Sequence, residues 1–257
     1  MYKVKRFSKI YYCQKNYGLL GNIGKKYRKM ALNKVDDSIR NSHKIINSTL
    51  SNSSKIDSKK TPKNFKLKRS LIRELKNTNT RVINNSFEGT SGPQSNYTLR
   101  SKDLNENIIN DLKNYNPRLG KKIENAAKKS NELIFHNPKS GNEYLAHEIG
   151  HAMNRNSKNP ISRAISRSET AINHSYINMT DKKGILNALK GFIKGKVKLH
   201  EESNASKNAM KLLRRNGASK EEMSISKDNL DKALVTYKEG SKLSYLYPLK
   251  NTLENKI

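Results

Sequence analysis

The pentapeptide His147-Glu148-Ile149-Gly150-His151 constrains this chain more than any other feature. It lies in the proline-free run Tyr144–Met153, which reads as helix. Positions i and i+4 share one helix face, so the two imidazoles point the same way. Such a pair can hold one metal ion, Zn²⁺ by its ligand type, with Glu148 next to it as a base for a water proton. Leu145, Ile149, Ala152 and Met153 form a separate apolar stripe that predicts burial of this helix against a core. The chain has six histidines, and two of them fall in this register, which weighs against coincidence.

Two imidazoles leave a Zn²⁺ ion short of a third protein ligand, and the later sequence narrows the choice. A metzincin would continue with Gly three residues and His six residues beyond the second histidine. Asn154 and Ser157 stand there, so that class is excluded. The other common solution is a glutamate from a later helix, and Glu169 and Glu202 are the candidates. Glu202 shares a helical face with Ala205, Ser206, Ala209 and Leu213, which predicts close approach to another helix. A carboxylate on such a face needs a partner, because an unpaired buried charge is costly. Glu201 is rotated by about 100° and is expected in solvent. Glu169 sits among Ser, Arg and Thr with no comparable stripe and is the alternative ligand.

The block His147–Met153, followed by Glu202-Ser203-Asn204-Ala205-Ser206-Lys207-Asn208-Ala209-Met210, resembles the neutral zinc metallopeptidases of bacteria. Lys232-Ala233-Leu234-Val235-Thr236-Tyr237 is similar to a further block of that family. The resemblance covers roughly the last 120 residues and is strong only at these short blocks. It implies a zincin-like metallopeptidase domain of gluzincin type, acting on a protein or peptide substrate. His147, His151 and Glu202 would bind Zn²⁺ and Glu148 would be catalytic. Ser203 and Asn204 replace the aromatic and acidic residues that the family carries beside its ligand glutamate. Those relatives also have membrane spans. Here the interval Ile185–Leu199 is broken repeatedly by lysine, so it is too polar to cross a bilayer and suits at most an interfacial helix. His174, Tyr176 and Tyr237 are candidate donors to a developing oxyanion, and the sequence does not choose among them.

Charge marks a second feature. Lys and Arg number 52 against 22 Asp and Glu, a net charge of +30. Residues 1–80 hold 21 of the basic residues and 4 of the acidic ones, so the excess is greatest there. This favours contact with polyanions through the amino-terminal region. The alternative to a peptidase is therefore a basic protein that binds nucleic acid or an anionic surface, with a structural or inactive metal site. Cys13 is the single cysteine, which excludes a disulfide framework. The start of the chain has the positive residues of a signal peptide without its apolar stretch, so a cytoplasmic location is expected.

The expected fold class is mainly α with a small β-sheet. Residues 1–40 read as a basic segment with one or two short helices, and 41–64 as a flexible Ser/Asn/Lys linker. Residues 65–94 read as a short helix, with Leu67, Leu71, Ile72 and Leu75 at helical spacing, and a turn-rich connector. The zincin-like domain is expected over 95–257. Within it, helices are predicted around Ile108–Leu112 and over 121–130, and a strand over Leu133–Asn137. That strand is either the sheet edge that pairs with substrate or an ordinary core strand. Later helices are predicted over about 182–199, around Glu202 with a stop at Gly217, from a capping box at Ser219, and over 228–239.

Overall fold

The computed structural model describes residues 21–55, 64–84, 97–138, 140–157, 160 and 184–255. They form a mainly helical α+β structure with one three-stranded sheet. The elements are α1 (Gly21–Lys55), α2 (Phe65–Arg73) with a following 3-10 turn (Glu74–Asn77), β1 (Thr80–Asn84) and β2 (Tyr97–Arg100). After these come α3 (Glu106–Tyr115), α4 (Pro117–Ala127), β3 (Glu132–His136), α5 (Asn142–Arg155), α6 (Ile185–Arg215) and α7 (Lys220–Glu254).

The sheet order is β1-β3-β2, with β1 parallel and β2 antiparallel to β3. All five residues of β3 are buried, as befits a strand covered on both faces. Of its two expected roles, β3 is thus the central core strand; both of its edges are taken, and β2 is an outer strand. Helix α5 packs beneath the sheet, where Leu145, Ile149 and Ala152 join Leu67, Leu71, Leu75 and Ile134 in one core. An ion pair between Arg155 Nε and Glu132 Oε1 (2.7 Å), buried at both ends, ties the last turn of α5 to β3.

Local chemistry sets most helix ends. The side chains of Asn64, Asn105 and Asn116 accept from Leu67, Ile108 and Leu119 backbone N–H groups, capping α2, α3 and α4. Pro117 at the first turn of α4 loses no helical hydrogen bond. Ser219 and Glu222 form the expected capping box at α7. Gly217, with φ +83°, ends α6 in the left-handed conformation that favours glycine.

Three expectations need correction. Of the linker expected over 41–64, residues 41–55 are helical and continue α1, and 56–63 lie outside the described residues. Val35 and Ile39 pack on α7 with Leu246, Leu249 and Leu253, and Ser42 Oγ donates to Glu239 Oε2 at 2.9 Å. Once that anchored stretch is helical, adding further turns is inexpensive, and Ser48 and Thr49 return their hydroxyls to the Ile45 carbonyl. Secondly, the unit expected over 95–257 shares its sheet with β1 and its core with α2, which precede it. Thirdly, the helices expected over 182–199 and around Glu202 are one helix, α6, and the segment 228–239 is the middle of α7. Small residues within α6 are contact points with α7. A Cβ at Gly191 would run into the Ser244 carbonyl oxygen, and one at Gly195 would lie 2.8 Å from that of Ser241.

Candidate metal centre

Helix α5 presents His147 and His151 one turn apart, and α6 crosses it at Gly150. A Cβ on Gly150 would sit 2.6 Å from the Ala205 carbonyl oxygen, so only glycine permits this approach. Ala205 and Ala209 on the facing side of α6 are fully buried and small, which completes the close contact. The crossing brings Glu202 to the histidines. His147 Nε2 lies 3.0 Å and His151 Nε2 3.4 Å from Glu202 Oε2, and the two Nε2 atoms are 3.1 Å apart. The rings stand edge to face, with centroids 4.7 Å apart and planes at 86°.

All three side chains are buried, and a ligand atom from each lies within 4.8 Å of the others. Burial pushes the Glu202 carboxyl up, but the neighbouring imidazoles outweigh it, His151 foremost, and hold it well below the usual carboxylate range. The donor set is two imidazole nitrogens and a carboxylate oxygen, which suits Zn²⁺. A further contact favours this use of His147. Its Nδ1 is 3.2 Å from Ser206 Oγ. Donation from Nδ1–H to that hydroxyl would leave the Nε2 lone pair for an ion held between the imidazoles and Glu202, the tautomer that a metal requires.

Glu148 is buried beside this cluster and is held from the sheet. Thr98 Oγ1, on β2, donates to Glu148 Oε2 at 2.6 Å. One carboxylate oxygen is thereby fixed, as a positioned base requires.

Glu201, expected in solvent, is only 1% exposed. Helix α6 is covered by α5 on one side and α7 on another, so a rotation of one residue does not reach water. Asn154 Nδ2 donates to Glu201 Oε2 at 3.4 Å, and Asn208 Nδ2 donates to Asn154 Oδ1 at 2.7 Å. This polar ladder braces α5 against α6 beyond the histidines. Tyr237 lies on α7 with Lys198 Nζ 5.3 Å from its ring centroid, one turn of α6 before Glu202. Glu169, His174 and Tyr176 lie outside the described residues.

The structure thus brings together His147, Glu148, His151 and Glu202. Sequence reasoning missed Thr98, whose place depends on the register of a strand 50 residues away, and it missed the Asn154–Glu201–Asn208 ladder. Ser206 was legible only as a small residue on the Glu202 face; its spacing of i+4 from Glu202 was the available signal. Comparison of the chain with known protein families, with characterised proteins and with solved structures finds no significant match.

Proposed function

We propose that this protein is a zinc-dependent peptidase of zincin type, with His147, His151 and Glu202 as metal ligands and Glu148 as general base. The observation that carries the reading is the convergence of two imidazoles and one carboxylate, from helices α5 and α6, in a buried cluster. A divalent ion held by these residues would supply Lewis acidity, easing deprotonation of water and polarising a peptide carbonyl. Glu148 takes the proton as water attacks the carbonyl carbon and passes it to the departing amine nitrogen. Thr98 leaves one oxygen of Glu148 for that transfer while fixing the other. The outer strand β2 carries Thr98 to the base, so a peptide laid along it would run beside the reacting groups, the role first considered for β3. Tyr237, with its ring beside Lys198 one turn of α6 before Glu202, is a candidate oxyanion donor.

Zinc analysis of the purified chain and its variants tests the reading. About one Zn per chain is expected, lost in His147→Ala and Glu202→Ala and kept in Glu169→Ala and Glu148→Gln. Glu148→Gln should abolish peptide cleavage while retaining the metal. Zinc that survives Glu202→Ala, or cleavage that survives Glu148→Gln, refutes the assignment.

A further inference from the structure

The amino-terminal half of α6 has two unlike faces. Ala188, Gly191 and Gly195 are buried, and the two glycines press on the backbone of α7. On the other side Leu186, Leu189 and Ile193 are 64%, 45% and 54% exposed, with Val197 partly exposed after them. At about 100° per residue these four fall within an arc of about 80° and make one continuous apolar ridge. Lys190 and Lys194 border the ridge on one side and Lys196 borders it on the other. From Ile185 to His200 there are four lysines and no acidic residue.

We infer that this ridge is a docking surface for the headgroup region of an anionic lipid membrane, along which α6 lies without crossing. An apolar stripe bordered on both sides by lysine is the pattern of an interfacial helix: the stripe enters the acyl boundary while the long side chains reach the phosphates. No helix among the described residues is apolar enough to span a membrane, so α6 would lie flat rather than insert. Charge selects the occupant. A second copy of a chain of net charge +30 would set lysines against lysines. A fluid lipid surface conforms to exposed apolar side chains without needing a matching groove. The inference stands independently of the peptidase reading. If both hold, the helix that lies on the membrane also carries Glu202, which keeps the metal centre close to the bilayer.

Vesicle sedimentation with the full chain tests this. Vesicles containing roughly a third phosphatidylglycerol in phosphatidylcholine should bind it at physiological ionic strength, and pure phosphatidylcholine should bind it far less. The variant L186S/L189S/I193S keeps every charge and alters only exposed side chains. Its binding to the anionic vesicles should fall by about tenfold or more while its circular dichroism is unchanged. The chain has no tryptophan, so Leu189→Trp provides a single reporter, and its emission should shift to the blue on adding the anionic vesicles. Wild-type binding by the serine variant would place any affinity in general positive charge and overturn the proposal. An unshifted emission would do the same. So would a change of oligomeric state in the serine variant without loss of vesicle binding, which would make the ridge a contact between copies.

Discussion

Gly150 of α5 lies against the carbonyl of Ala205 on α6 with no room for a side chain between them. That approach sets the distance at which Glu202 meets His147 and His151, so the glycine inside the histidine pair acts as a spacer. Gly150→Ala would place its Cβ 2.6 Å from the Ala205 oxygen, and backbone on both sides would have to give. Alanine is ordinarily favoured over glycine within a helix by roughly 0.5–1 kcal/mol. Here overpacking should win, for a net destabilisation of about 1–3 kcal/mol. Urea unfolding of the two proteins, with a zinc competition titration, measures both effects. The affinity for zinc should fall about tenfold. A variant as stable as wild type with unchanged affinity would show that the crossing does not set the site.

Ser206 is expected to act through His147. Ser206→Ala removes the partner of Nδ1 and frees the ring to turn or change tautomer. Loss of such a hydrogen bond should weaken zinc binding by about 10-fold with the helical signal intact. Equal affinities in a chelator titration would contradict this role.

Thr98 is expected to position Glu148 rather than bind metal. Thr98→Val keeps the shape and deletes the donor, whereas Thr98→Ser keeps the donor. A hydrogen bond to a charged group contributes about 1.5–3 kcal/mol, so cleavage should slow by at least about tenfold in the valine variant. It should recover largely in the serine variant, and both should retain zinc. If valine and serine variants behave alike, the hydroxyl is not what matters.

His136 should make folding pH-dependent. Burial in β3 pushes its imidazole from 6.5 down to about 3, with the charge of Lys68 adding to the effect. Below pH 6.5 the unfolded chain takes up a proton that the folded chain refuses until about pH 3. Stability from this group is therefore present above pH 6.5 and is lost as pH falls through that window. The difference in unfolding free energy between wild type and His136→Gln should shift against wild type by about 2–4 kcal/mol from pH 7 to pH 4. A difference independent of pH would mean that His136 is protonated in the folded state.

The sequence by itself determined the local terms. The i and i+4 placement of His147 and His151 follows from helix geometry. The asparagine caps, the Ser219–Glu222 box and the stop at Gly217 follow from which side chains satisfy free backbone groups. Glu202 was legible because a carboxylate on a face of alanines has few uses other than meeting a partner. What only the tertiary structure decided is what depends on which surfaces meet. Residues 41–55 look polar enough for a linker, yet they extend a helix whose preceding turns are anchored on α7. Glu201 is polar and one position from Glu202, yet it is buried with Asn154 of α5 as a partner. Thr98 reaches Glu148 only because β3 takes the centre of the sheet and β2 its edge. Periodicity reports which face of an element is apolar; it cannot report how many neighbours press on that element, and those neighbours placed the remaining residues of the site.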